Sequence, residues 1–234
     1  GYILYNAQGY GGGRTNCAKA IAGEAKIPMV CINAADFAIR DLDTVGTNPM
    51  EAIDVKIKKL VDTIKTQAKA NSNKTAMLYI QNFDNFASNP LYGISSIYEQ
   101  QAFSKLVKEM KKSREDNSYN IIVMGSSDMP ETINENVLRP GLFMDDLIIY
   151  PPAGVNNVME IAKKHIAKKG YKLSGQTEDE NNKILKHFAN VIMGSGYVDI
   201  VDLLDRANLL AKKANKNAIS IAEINEAYLI KTAG

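Results

Sequence analysis

Residues Gln8-Gly9-Tyr10-Gly11-Gly12-Gly13-Arg14-Thr15 join an apolar run to an alanine-rich segment. A strand, a glycine-rich turn and a helix N-terminus in that order let backbone N–H groups converge on an anion, and the helix dipole favours negative charge there. The common phosphate-binding form is G-x-x-x-x-G-K-[ST]. Gln8 stands at its first glycine and Arg14 at its lysine, while Gly13 and Thr15 keep the pattern. Gly11, Gly12, Gly13, Arg14, Thr15 and Asn16 are therefore the candidate phosphate-binding residues. Taken alone, the segment fits a flexible glycine-rich loop equally well. Other reactive types are sparse. The two histidines are His165 and His187, and without an H-E-x-x-H pattern no zinc site is expected in this chain. Cys17 and Cys31 each fall in an apolar run, which predicts buried thiols in a reducing compartment and no disulfide framework.

The elements that would position the loop are legible as short apolar runs at wide spacing: Tyr2–Tyr5, Met29–Ile32, Met77–Ile80, Ile121–Met124 and Leu147–Tyr150. Runs without alternation predict strands buried on both faces, as in a parallel sheet. Between them, Ile53, Ile57, Leu60, Val61, Ile64 and Ala68 recur at helical spacing, as do Phe103, Leu106, Val107 and Met110. Strand and helix in alternation predict a doubly wound α/β sheet. After Pro151-Pro152 no further strand run appears. Ile200, Leu203, Leu204, Ala207, Leu210, Ala211 and Ala214 form one helical stripe, and Ser220 with Glu223 is a capping-box signature for a last helix. The expected organisation is a large α/β nucleotide-binding-type domain over 1–152 and a small helical domain over 153–234. Ala70–Lys74 and Gly170–Asn182 are expected loops.

Composition is that of an ordinary globular protein: 234 residues, 45% hydrophobic and 23% charged. The net charge is +2 and the signs alternate, so no nucleic-acid footprint is present. The lysine pairs at 58–59, 111–112, 163–164, 168–169 and 212–213 are expected to be solvated helix faces. No run approaches the ~20 apolar residues of a membrane span, and no signal peptide is recognisable. The abrupt start in a strand-like run is compatible with sequence upstream, and membrane anchoring elsewhere stays open.

Three further segments carry a resemblance. Ala18-Lys19-Ala20-Ile21-Ala22-Gly23-Glu24-Ala25 resembles the helix after the phosphate loop of FtsH-type AAA proteins. The stretch from Ile121 to Pro130 is similar to their sensor-1 strand. Val137-Leu138-Arg139-Pro140-Gly141-Leu142-Phe143 resembles their L-R-P-G-R-F segment at the same offset. The likeness spans nearly the whole chain. It implies an AAA sheet of the P-loop type with a helical lid, ATP hydrolysis coupled to proteolysis, a hexameric ring, and a place on the cytoplasmic face of a membrane.

The departures from that family bear on the chemistry. Where the family carries D-E-x-D, this chain has Gln81-Asn82-Phe83-Asp84. A carboxamide is neutral and serves neither as a carboxylate ligand nor as a general base. The sensor position is Asp128 where an Asn is usual. Of two finger arginines Arg139 remains, with Leu142 at the second position. His165 lies where the family often has a His near the nucleoside, although a surface or interface role fits it as well. Tyr197 takes a glycine position in the segment that approaches the adenine. Asp36-Phe37 is followed by Ala38-Ile39-Arg40-Asp41-Leu42, without the pore aromatic, and Thr44–Asp54 is longer than the family pattern.

Loss of a general base lowers rates by ~10²–10⁴, and loss of a finger arginine by ~10³–10⁵. Asp128 beside a terminal phosphate, at ~4 Å and an effective dielectric of about 20, would repel by ~4 kcal/mol, against ~8 kcal/mol for a micromolar affinity. The expectation is a hydrolysis-deficient AAA module with degenerate catalytic positions Gln81, Asn82, Asp128, Arg139 and Leu142. ATP or ADP binding is unfavoured, and Mg2+ has lost a carboxylate. Two placements of Asp128 are open: a pair with Arg14, direct or through one water, or a carboxylate that faces solvent or caps the next turn. The expected partners are proteins, in a homo- or hetero-oligomeric ring with FtsH-like subunits. Two alternatives remain: a working motor compensated elsewhere, and an interaction module that forms no ring.

Overall fold

The computed structural model describes residues 1–7, 11–37, 49–93, 97–115, 118–138, 143 and 145–232. Each of the five apolar runs contributes to a strand: Tyr2–Asn6 (β1), Met29–Asn33 (β2), Thr75–Gln81 (β3), Asn120–Ser126 (β4) and Asp145–Ile149 (β5). All pairings are parallel, in the order β2-β3-β4-β1-β5. Parallel neighbours require crossovers. Helices Arg14–Glu24 (α1) and Pro49–Ala70 (α2) supply the first two, and Asp84–Ala87 (α3) with Ile97–Glu115 (α4) the third.

Side chains alternate across a strand, so consecutive apolar residues feed opposite faces. Ile3, Leu78 and Ile80 pack with Ile53, Ile57, Leu60, Val61 and Ile64 of α2 and with Leu106 of α4. Leu4, Met77, Tyr79 and Met124 meet Ala18 and Ala22 of α1 on the other side. Burial on both faces runs longest in the middle of β3, from Ala76 to Ile80, and recurs at Ile3–Leu4 of β1 and Met124–Ser126 of β4; at the edge, Leu147, Ile148 and Tyr150 are exposed. Edge position also corrects the expectation for the thiols: Cys31 on β2 is exposed and Cys17 half-buried.

One packing detail fixes the end of β3 against β4. The Phe83 N–H donates to the Ser126 carbonyl at 2.7 Å, and the Phe83 ring lies where a Gly125 Cβ would fall, 2.8 Å from its Cγ. Phe83 is fully buried and meets Phe103 edge-on, with ring centres 5.4 Å apart.

The chain divides into two compact units, one of Gly1–Asn6 with Arg14–Ile149, the other of Ala7–Gly13 with Tyr150–Gly234. The second unit contains helices Val155–Lys169 (α5), Glu178–Val191 (α6), Tyr197–Lys213 (α7) and Ile221–Thr232 (α8) around Phe188, Ile200, Leu203 and Leu204. The expected stripe of α7 is buried at Ile200, Leu203, Leu204, Ala207 and Ala211, with Leu210 half-buried, but Ala214 is exposed past the helix end. The expected loop over Gly170–Asn182 is shorter than anticipated. Thr177 caps α6, its Oγ1 accepting from the Glu180 N–H at 3.2 Å. Glu178, Asp179 and Glu180 in the first turn favour the helix dipole there.

The Ser220–Glu223 capping box is present. Glu223 Oε2 accepts from the Ser220 N–H at 2.8 Å and from its hydroxyl, and Oε1 accepts from Lys216 at 2.6 Å. Burial pushes the Glu223 carboxyl up, but these donors outweigh it and lower it from 4.5 to about 2. A depressed carboxylate stabilises the fold above its unfolded pKa, and that contribution is lost as pH falls through the folded value. Glu223→Ala should therefore cost about 1–2 kcal/mol at pH 7, discounted for screening at the half-exposed Lys216. In urea melts, the gap to wild type should narrow as pH is lowered from 4.5 towards 2.

Candidate functional site

Ligands of open α/β sheets bind outside the carboxyl ends of the strands, where the crossover direction reverses. In this sheet β1 lies beside β4 and β4 beside β3, with Leu4 opposite Ser126 and Ile80 opposite Gly125. Their carboxyl ends bring together Arg14 at the start of α1, Gln81 at the end of β3, Asn82 after it, and Asp128 beyond β4.

The Arg14 guanidinium uses both terminal nitrogens. Nη1 donates to the Ser127 carbonyl, and Nη2 forms an ion pair with Asp128 Oδ1. The side chains are only 15% and 21% exposed, so this pair is partly withdrawn from solvent screening. The turn carrying the acceptors is itself fixed. The Ser127 N–H donates to the Leu4 carbonyl at 3.0 Å, and the Ser127 hydroxyl accepts from the Met129 N–H at 3.0 Å. Of the two placements of Asp128 left open by the sequence, the direct pair is present.

Beside it lies a set of neutral groups. Gln81 Nε2 donates to the Thr15 hydroxyl at 3.0 Å, and that oxygen lies 3.4 Å from the Tyr79 hydroxyl. Asn82 Nδ2 donates to Asn33 Oδ1 at 3.0 Å, and the same oxygen accepts from the Ala35 N–H at 3.0 Å. Asn82 holds φ at 51°, in the left-handed region that Asn tolerates better than most residues. These amides can orient hydroxyls and backbone groups, but neither can take a proton from water at neutral pH. Asp84 is buried in the first turn of α3. Among the described residues no three His, Cys, Asp or Glu side chains cluster as metal ligands.

The glycine stretch adopts backbone that other residues rarely take, with φ of 88° at Gly11 and 83° at Gly13. Asn16 is exposed on the first turn of α1. His165 is no surface residue: it is buried within the helical unit, with Nε2 2.7 Å from Asp205 Oδ1. The Tyr171 hydroxyl donates to the same carboxylate oxygen at 2.9 Å. Burial raises the Asp205 carboxyl, but the bonds from His165 and Tyr171 prevail and hold it below its usual range. Phe37 is core, its ring 5.1 Å from that of Phe86. Gln8, Arg139, Leu142 and the stretch from Ala38 to Leu42 lie outside the described residues.

The amide partners were missed by sequence reasoning. Asn33 and Gln81 end neighbouring strands and stand opposite one another in register, a pattern that could have flagged them as one cluster.

A five-stranded parallel sheet with a glycine-rich turn between β1 and α1 defines an α/β fold of the nucleotide-binding class. Residues 5–150 match the family described as "ATPase family associated with various cellular activities (AAA)", and the chain belongs to that family. It is 30% identical over 231 residues to the ATP-dependent zinc metalloprotease FtsH of Aquifex aeolicus (strain VF5), covering 97% of this chain and 32% of that protein. FtsH of Helicobacter pylori (strain J99 / ATCC 700824) is 28% identical over 227 residues, covering 96% of this chain and 32% of that protein. The chain thus spans about a third of the length of these relatives. The crystal structure of the FIGL-1 AAA domain in complex with ADP superposes with a TM-score of 0.72 at 14% identity. The match covers 98% of this chain and 70% of that one, a likeness of fold. No helix among the described residues is long and apolar enough to cross a membrane.

Proposed function

We propose that this chain is the AAA module of an FtsH-like protein in which ATP hydrolysis has been lost, kept as an assembly or partner-binding subunit. The observation that carries this reading is the neutral lining at Gln81 and Asn82, where the resemblance leads one to expect a magnesium ligand and a general base. Gln81 bonds Thr15 directly, and Asn82 bonds Asn33. Mg2+ favours carboxylate and phosphate oxygens in near-octahedral array, and an amide nitrogen aimed at Thr15 does not fit it. Arg14, the one cation of the loop, already has a carboxylate in Asp128. The residues present therefore fit Mg-ATP poorly. Thr15 and the glycines keep a loop that could cradle an anion, but the two replaced carboxylates leave water unactivated.

The implied setting is a ring with FtsH-like subunits on the cytoplasmic face of a membrane. A working protease motor is the competing reading. Purified protein should release phosphate from ATP no faster than a buffer control. Magnesium-dependent turnover above ~0.1 s⁻¹, the range of slow enzymes, would replace the first reading with the second.

A further inference from the structure

Within the helical unit, the first turn of α7 lies directly on the glycine stretch. The Val198 N–H donates to the Gly11 carbonyl at 2.8 Å. A Cβ built on Gly11 would meet Val198 Cβ at 3.2 Å, and one built on Gly13 would meet Tyr197 Cβ and Cγ at 3.1 Å. The approach is mutual, since a Cβ on Gly196 would lie 3.1 Å from the Gly11 carbonyl oxygen. Gly196 is the N-cap of α7 and makes no side-chain cap bond. Helices prefer Ser, Thr, Asp or Asn at that position, and the closeness of Gly11 accounts for a glycine there instead. Not even a methyl group fits without displacement between Tyr197 and Gly13.

We propose that Tyr197 is a built-in occupant of the glycine loop, and that Gly11–Gly13 serve as a latch for α7 in place of an external phosphate ligand. The inference deepens the hydrolysis-deficient reading and rests on it. A phosphate cradle must present its backbone donors to an anion with free approach. Here the loop's glycines are required by contacts with the chain itself. Two of them combine positive φ with a side chain at 3.1–3.2 Å, so any substitution is disfavoured for two separate reasons. The expected ligand of an opened loop is a nucleoside diphosphate, because removing the ring frees space beside the backbone.

The test is calorimetric titration of the full chain with ADP. Wild type should show no saturable heat at about millimolar ADP, and Tyr197→Gly should bind at least tenfold more tightly. Tyr197→Ala, which keeps helix propensity, serves where the glycine variant fails to fold. A second readout is a cycle with Gly13→Ala. Strain from the positive φ is the same in either background, so the loss in urea midpoint should be smaller when Tyr197 is absent. Equal losses in both backgrounds, or equal ADP affinity with and without the ring, would overturn the latch. Neither result bears on turnover, which the phosphate-release assay reads separately.

Discussion

Asp128→Asn should tighten ATP binding at least tenfold, about 1.4 kcal/mol, while ADP affinity moves by no more than about twofold, near the ~0.5 kcal/mol limit of independent effects. The contrast follows from where the charge acts. The resemblance places Asp128 beside a terminal phosphate that ADP lacks, and repulsion at close range sets an upper bound of ~4 kcal/mol at an effective dielectric of about 20. Arg14 is freed by the same change. An Asn oxygen still accepts from Nη2, but as a neutral partner, and the second guanidinium bond to the Ser127 carbonyl is untouched. The fold should therefore lose only about 1 kcal/mol, the scale of one partly exposed ion pair. The measurement is a pair of titrations, ATP and ADP, made on Asp128→Asn in the Tyr197→Gly background so that binding is readable. The tyrosine change should raise both affinities together, whereas the aspartate change should separate them. If ATP and ADP move equally on Asp128→Asn, the carboxylate does not face the terminal phosphate and the charge argument fails.

The sheet was legible because parallel strands are read from uninterrupted apolar runs, and β3 satisfies that rule along its buried centre. The rule was weaker at β2 and β5, where one side of the strand has no paired strand among the described residues and Cys31 and Ile148 reach solvent. Helix interiors followed their stripes, but the start of α6 did not, because Thr177 and Glu180 form a cap inside a polar stretch that reads as a loop. The Arg14–Asp128 pair was legible as one of two placements, from charge balance across 114 residues of separation. The bonds of Gln81 to Thr15 and of Asn82 to Asn33 were not, since amide-to-hydroxyl and amide-to-amide contacts carry no charge signature and depend on register. The burial of His165 was not legible for a related reason: its carboxylate, Asp205, lies on α7, forty positions away. The seating of Tyr197 against Gly13 is a tertiary contact, and a sequence shows a bulky residue at a small position but not what it touches.

Restoring the two carboxylates, Gln81→Asp with Asn82→Glu, should destabilise the metal-free protein and still leave turnover at background. Gln81 now donates to Thr15 Oγ1, and a shorter aspartate has no donor to replace that bond. Asn82 donates to an oxygen of Asn33 that already accepts from Ala35, so a glutamate there would set two acceptors against each other. Each lost bond with a stranded polar partner costs about 1–3 kcal/mol, giving roughly 2–6 kcal/mol for the pair if the sites relax independently. Magnesium should recover part of this by supplying a positive centre for the new carboxylates. The variant should therefore show a magnesium-dependent rise in melting temperature that wild type lacks. Hydrolysis should not return, because Asp128 still pairs with Arg14 and Leu142 still stands where the resemblance expects a second arginine, a loss of ~10³–10⁵ by itself. Thermal melts with and without Mg2+, run beside a phosphate-release assay, read the two halves separately. A variant as stable as wild type in EDTA would show that the amide bonds contribute nothing to the fold. Robust magnesium-dependent turnover would show that the two amides alone keep this module from hydrolysing ATP.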